Sequence, residues 1–491
     1  MKKILVIFTS ILLFVSGSSA QAESDCPLLF KDGSAFWEIT EKDPGTFSSN
    51  SAIASAVNDL DRVLKKLAGI SGKKALQDSP GKIIKIHVGV DTALDDGETA
   101  LKYQSDGLFI TGGSPVAVQH AVYYFLQSQF DVHWFWPGED GEYIQPRKEG
   151  KINPDLNIRV KPSIQYRGFH MCGDWFRVED FKTWMVRNFI NIHRHGTNFP
   201  KDLRFIQMYS SHNVHLPKTY FETNPEYFAE INGKRFYSQL CMSHPEVDTL
   251  VYRNFKQMLG KYSNLQILSV FPPDNQEYCR CKKCAEKDVS TAWFDFYNRL
   301  TDKLKLDYPQ LKFATIAYQG YIQVPKNKVR NSEFVEYASY PRCNIHLYGD
   351  PECSRNKNVI QAMKNWQATG VKVGDYAYEF DIFIGARQPF LPFYSFIANT
   401  VKKTVDMEQI LLIPEIGLSP RNGPELEADQ YQNRLGLYLY AQLMFNADQD
   451  MDQLIRQWCD CHNDYPAGAE FLTFVYFFFL DYQAFVIYNT F

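Results

Sequence analysis

No strong charge of either sign marks this chain. Its 52 Lys and Arg stand against 56 Asp and Glu, a formal net charge of −4 over 491 residues. That balance removes nucleic acid and anionic membrane surfaces from the expected partners. Internal repeats of about 20–50 residues and low-complexity linkers are absent, so a solenoid is excluded and any domains should pack together. Several catalytic motifs are missing as well. The glycines form no GxGxxG and bring no P-loop lysine, no GxSxG is present, and His193-Arg194-His195 lacks the HExxH spacing. Dinucleotide binding, serine hydrolysis and zinc proteolysis therefore have no motif to stand on. After the N-terminus no clean apolar run is long enough for a membrane span. Phe471–Tyr488 comes nearest, but Asp481 and Gln483 interrupt it, and a buried C-terminal helix over 471–491 is expected instead.

What is present begins with a targeting segment. Lys2 and Lys3 precede an apolar run from Ile4 to Val15, and small residues lead to Ala20 and Ala22. This is the pattern of a secretory signal peptide over residues 1–22, and it predicts a periplasmic or extracellular protein with no membrane insertion of the mature chain. Ten cysteines in an exported chain normally imply disulfides. Cys343 with Cys353, or Cys459 with Cys461, could pair locally, although a bridge across one residue is strained. The C-x-C-x-x-C run of Cys279, Cys281 and Cys284, joined by Cys241, has the alternative of a structural four-thiolate zinc site. Bridges and metal both remain open at this point, and no other cofactor is expected.

Residues 23–158 read as a small α+β domain. Ile53, Val57, Leu60, Leu64 and Leu67 share one helical face closed by Gly69. Lys82–Gly89 reads as a strand, Asp106-Gly107 as a hairpin turn, and Gly112-Gly113-Ser114-Pro115 as a tight passage into a second helix. From residue 159 to about 470 strand and helix candidates alternate. Strands are expected at Ile164–Gly168, Asn191–His195, Phe205–His212, Ile267–Phe271, Phe313–Ala317, Asn344–Tyr348, Val371–Phe380 and Ile410–Ile416, with helices such as Asn358–Ala368 between them. Up to eight βα units at this spacing predict a (β/α)8 TIM barrel, an α/β fold, with a doubly wound open sheet as the alternative.

Chemistry in such a barrel sits beyond the carboxyl ends of the strands. Three strand ends carry acids there: Asp274 after the fourth strand, Glu379 with Asp381 at the end of the seventh, and Glu415 in the eighth. Two carboxyl groups across a cleft are what glycoside hydrolysis requires, one to protonate the leaving group and one as base or nucleophile. For each acid the plain alternative is a salt bridge or helix cap. Arg167 is a candidate bidentate clamp for a substrate carboxylate. Trp175, His212, Asn275, Tyr318, His346 and Tyr348 are candidates for sugar binding. The high aromatic content, 29 Tyr, 37 Phe and 8 Trp, suits sugar stacking, although core packing explains most of it.

ITGGSPVAVQHAVYYFLQ followed by WFWPGEDGEYIQP resembles the small domain preceding the barrel in alpha-glucuronidases and beta-hexosaminidases. NPEYFAEINGKR, QLCMSHPEV, PPDNQEYCRCKKC and RCNIHLYGDPECSRN resemble the exported bacterial proteins of the domain-of-unknown-function 4838 family, a group related to glycoside hydrolases. The resemblance implies an α+β domain and a TIM barrel acting on carbohydrate. It also implies that Asp274 occupies the general-acid place after the fourth strand, where related glycosidases carry Glu, with Glu277 as a fallback. Relatives often continue beyond the length seen here, so a truncated reading frame and a complete one both stay open. The leading expectation is an exported glycoside hydrolase of a polysaccharide or a uronic-acid-containing oligosaccharide. The alternatives are a glycan-binding protein without catalysis and a structural envelope protein.

Overall fold

The computed structural model describes residues 26–42, 52–71, 83–172, 179–195, 202–212, 214–262, 264–343, 346–380, 394–417 and 425–460. The signal-peptide segment, Trp175, Asp381, Cys461 and the expected terminal helix lie outside these residues.

The first domain is a five-stranded sheet in the order Asn157–Val160, Thr99–Gln104, Gly107–Gly112, Ile84–Val90 and Trp37–Glu41. The Asp106-Gly107 turn joins two antiparallel strands, as a hairpin requires. Two helices, Ala52–Leu67 and Pro115–Phe130, cover the sheet. The glycine pair before the second helix is a matter of space. A Cβ on Gly112 would lie 2.4 Å from the Ala117 carbonyl carbon, and one on Gly113 would lie 1.9 Å from the Asp95 carbonyl oxygen. Ser114 then caps the helix by accepting from the Ala117 N–H, and Pro115 opens it.

Eight parallel strand positions follow and form the barrel. In spatial order they are Tyr166–Arg167 with its continuation His170–Cys172, Leu411–Gly417, Val373–Phe380, Ser332–Ala338, Lys312–Ala317, Ile267–Val270, Ile206–Ser211 and Ile192–His195. The two ends of this order meet where the Asn191 N–H donates to the Arg167 carbonyl at 3.1 Å and the Arg167 N–H donates to Asn191 Oδ1 at 2.8 Å. Fold class and strand order are thus those of a near-closed (β/α)8 barrel. The lower interior is apolar, filled by Tyr166, Ile192, Met208, Ile267, Phe334 and Leu411. The helix Glu425–Phe445 ties the barrel to the first domain: Phe445 stacks on Phe189 with centroids 4.0 Å apart, and Tyr438 reaches His133.

One expected strand is replaced. Asn344–Tyr348 does not supply the sixth position; Ser332–Ala338 does, paired with Lys312–Ala317 and Val373–Phe380. His346–Tyr348 lies in a loop whose polar backbone is met by side chains. Asn356 donates to the carbonyls of His346 and Leu347, and Asn399 accepts from the Tyr348 N–H. The true sixth strand, SEFVEYA, carries Glu333 and Glu336 where a buried strand is expected to be apolar, which hid it from a reading of hydrophobic runs.

Candidate active site

The carboxyl ends of the strands carry a chain of aromatic rings. His170 meets Tyr376 at 5.4 Å, Tyr376 meets Tyr378 at 5.0 Å, Tyr378 meets Tyr340 at 6.1 Å, and Tyr340 meets Tyr318 at 5.6 Å. His212 continues the chain, 6.1 Å from Tyr318 and 5.6 Å from Phe271. Strand alternation explains the set: Phe271, Ile316 and Ala338 share a small apolar cluster with Tyr318 and Tyr378, one layer above the barrel's lower core. Tyr340 is 44% exposed, so part of this wall faces solvent.

Two carboxylates flank the chain. Asp274, exposed at the exit of Ile267–Val270, receives Gln319 Nε2 at 3.4 Å. The Tyr318 phenol beside it is pushed up to about 12, first by burial and then by the Asp274 charge. Glu415 lies on Leu411–Gly417 and is 6% exposed. His170 is its register partner on one side. On the other side the pairing slips. Ala377 pairs with Pro414 but Phe380 pairs with Ile416, so Tyr378 and Glu379 together stand opposite the single Glu415. Such a bulge re-aims side chains and is common next to active sites. Two of the acids expected from sequence, Glu379 and Glu415, are therefore neighbours in register. The strand bearing Asp274 occupies the facing wall, because four strand positions separate Ile267–Val270 from Leu411–Gly417.

A further carboxylate was missed by sequence reasoning. Glu336 is wholly buried and alternates with Phe334 and Ala338, which face the barrel interior. Ser269 Oγ lies 3.4 Å from Glu336 Oε1. The available signal was an acid in mid-strand, between Val335 and Tyr337, which pack on the opposite face.

A hollow of about 850 Å³ opens at the other end of the barrel, where Gln165, Asn191, Gln266 and Lys312 begin their strands beside Ser114 of the first domain. In this fold that end serves stability, and the side chains of catalysis belong to the opposite one.

A domain-of-unknown-function model, DUF4838, matches residues 136–475, well over half of the sequence. The chain belongs to the DUF4838 family. No curated protein sequence matches it. Among solved structures, this DUF4838 chain is similar to a GH138 enzyme targeting pectin rhamnogalacturonan II, with TM-score 0.56 and 11% identity over 87% of this chain and 53% of that one. It is similar to a GH115 4-O-methyl-alpha-glucuronidase with specificity for decorated arabinogalactans, with TM-score 0.55 and 14% identity over 89% and 60%. It is also similar to a beta-N-acetylhexosaminidase from Bacteroides fragilis NCTC 9343, with TM-score 0.52 and 10% identity over 90% and 93%. The chain thus spans roughly half to three-fifths of the first two enzymes and nearly all of the third. At these identities the likeness is one of fold.

Of the residues expected to bind sugar in this DUF4838 chain, His212 and Tyr318 stand in the aromatic wall. Asn275 shapes the Asp274 loop, donating to the Ser238 carbonyl at 3.0 Å and accepting from the Glu277 N–H at 3.0 Å. Arg167 and Tyr348 do not face the mouth. Arg167 is wholly buried and donates to the carbonyls of Phe189 at 2.8 Å, Ile164 at 2.7 Å and Gln165 at 3.3 Å. Tyr348 is 2% exposed, donates to Met363 Sδ, and carries the Arg342 guanidinium over its ring. Both are structural, because their polar atoms already have protein partners. His346 is exposed, its Nδ1 3.3 Å from Cys343 Sγ. Trp175 and the side chain of Glu379 lie outside the described residues.

The thiols of Cys241, Cys279, Cys281 and Cys284 converge within 4.8 Å of one another, as do Cys343 Sγ, His346 Nδ1 and Cys353 Sγ. Among the described residues no helix is long and apolar enough to cross a membrane.

Proposed function

We propose that this DUF4838 chain is an exported glycoside hydrolase that binds carbohydrate at the carboxyl-end mouth of its barrel. Its substrate class is a polysaccharide or a uronic-acid-containing oligosaccharide. The observation that carries the reading is the aromatic wall from His170 through Tyr376, Tyr378, Tyr340 and Tyr318 to His212, with Asp274 and Glu415 on facing sides. Apolar sugar faces stack on aromatic rings, and two separated carboxyl groups are the minimum equipment for cleaving a glycosidic bond. The activities of the GH138, GH115 and hexosaminidase neighbours support the same class. Export rests on the Lys2-Lys3 and Ile4–Val15 pattern of the sequence.

The roles follow from position. A leaving group departs toward solvent, so exposed Asp274 at the rim is the proton donor. Glu415, nearly closed off, lies beneath the ring and acts as base or nucleophile, with Glu379 beside it in register. The test is incubation of purified protein with a panel of plant, algal and host glycans, read by product release. Asp274→Asn and Glu415→Gln are expected to lower turnover about 10²–10⁴-fold while leaving the melting midpoint in place. Glycan binding with no product after long incubation would instead assign a binding protein. Full activity in both variants would remove these acids from the chemistry.

A further inference from the structure

We infer that Cys241, Cys279, Cys281 and Cys284 hold one tetrahedral zinc ion that clasps two loops at the rim of the barrel mouth. Cys241 Sγ lies 3.7 Å from Cys281 Sγ and 3.8 Å from Cys284 Sγ. A disulfide needs about 2.05 Å between sulfurs. A tetrahedron with metal–sulfur bonds of about 2.3 Å has edges of about 3.8 Å, which is the spacing found here. All four sulfurs meet the weaker condition of lying within 4.8 Å of one another, and four thiolates are the donor set of a closed structural zinc centre.

The surroundings fit a charged cluster. The Glu230 N–H donates to Cys279 Sγ at 3.3 Å, and Ser243 Oγ lies 3.1 Å from Cys284 Sγ. These are outer contacts of the kind that orient metal ligands. Four thiolates around a divalent cation carry a net charge of about −2. Exposed Arg280, Lys282 and Lys283 interleave with the cysteines and supply the opposite sign.

The site joins two parts of the chain about forty residues apart. Cys241 ends the hairpin Phe228–Ile231 and Lys234–Leu240, inserted after the third barrel strand, whereas the other three thiols follow the fourth strand. The same two segments exchange other bonds. The Arg280 N–H donates to the Glu230 carbonyl at 2.6 Å, Gln239 donates to the Asn275 carbonyl at 3.1 Å, and Ser238 pairs with Glu277. A metal here would fix the hairpin against the loop that begins at Asp274. Its role is positioning, because four protein ligands leave no open coordination position for a substrate.

The test uses the full-length chain produced with zinc available and measures metal by elemental mass spectrometry. About one zinc per chain is expected at this centre. The Cys281→Ser, Cys284→Ser double variant should lose at least about nine-tenths of it, whereas Cys353→Ser, which breaks the separate Cys343–His346–Cys353 group, should keep it. Exchange of zinc for cobalt in the unaltered protein gives a readout independent of whether a variant folds: intense visible bands of a tetrahedral tetrathiolate are expected. Removing the metal with a chelator should speed hydrogen exchange about tenfold or more in 228–241 and 274–286, leaving the lower barrel strands unchanged. The inference is overturned if the four cysteines are recovered as two disulfides in non-reducing peptide mass spectrometry. It is equally overturned if the cobalt protein lacks those bands, or if metal survives the double variant and is lost in Cys353→Ser.

Discussion

Replacing Arg167 by Met separates a substrate clamp from a structural fastener. The guanidinium is wholly buried, and burial pushes it down to about 9, still protonated at neutral pH. Of its three donations to carbonyl oxygens, the one to Phe189 at 2.8 Å binds the first strand to the turn that starts the second, while those to Ile164 at 2.7 Å and Gln165 at 3.3 Å fasten the residues that lead into the first strand. Phe189, one of the acceptors, holds a left-handed backbone with φ of 66° and stacks on Phe445, so the barrel seam and the helix Glu425–Phe445 meet at this residue. Methionine keeps most of the volume and removes the donors. Three lost bonds at about 1–2 kcal/mol each, offset by about 1–2 kcal/mol because a buried charge is no longer desolvated, leave a net cost of about 2–4 kcal/mol. Over a barrel of about 300 residues that is a fall of about 3–6 °C in the melting midpoint. Differential scanning calorimetry reads it directly, and Arg167→Lys should fall between the two proteins. Glycan affinity in Arg167→Met, measured well below its midpoint, should match the unaltered protein. An unchanged midpoint combined with weakened binding would refute the assignment and return Arg167 to the substrate.

Three further outcomes are expected. His120 packs against the rings of Phe189 and Phe445 with Arg167 beside it, and burial, then the Arg167 charge, holds it well below its usual range. Below about pH 6.5 the unfolded chain therefore takes up a proton that the folded chain refuses, so stability should fall by about 1.4 kcal/mol per pH unit; denaturant midpoints across pH should show this slope flattened in His120→Gln. Burial alone would raise Glu142, but hydrogen bonds from Arg62, Lys66 and Trp134 outweigh it and bring the carboxyl down to about 2. Discounting for the partly exposed Arg62, about 2–3 kcal/mol is present at neutral pH and lost as pH falls from about 4.5 to about 2. The stability gap between Glu142→Gln and the unaltered protein should close over that window, and a gap independent of pH would count against the network. Tyr340→Ala removes the exposed ring between Tyr318 and Tyr378 and should weaken glycan binding about tenfold by calorimetry with little change in midpoint; an unchanged Kd would place the sugar elsewhere.

The barrel was legible because its strands differ from its helices in period. The largely apolar runs at Ile267–Val270 and Leu411–Gly417, each broken by one polar residue, and the helical stripe around Trp293, Phe296, Tyr297 and Leu300 need little context to be read. The glycine pair was legible for a similar reason: a tight strand-to-helix turn is a local problem with a local answer. Arg167 misled because a residue name carries its charge but not its burial. Beyond a strand end, the same side chain can clamp a ligand or fasten a seam.

Sequence alone determined the alternation of strand and helix, the acids at strand exits and the cysteine spacing, since each is a pattern of near neighbours. Tertiary structure decided what depended on distant partners. It gave the sixth position to Ser332–Ala338, because an interior strand of the barrel must pair on both sides, here with Lys312–Ala317 and Val373–Phe380. It set Tyr378 and Glu379 opposite Glu415 through a one-residue slip in pairing. It also joined His170, Tyr376, Tyr340, Tyr318 and His212 into one wall and gathered Cys241 to thiols about forty residues away. Barrel closure brings such residues together in space, and no local period in the chain encodes that meeting.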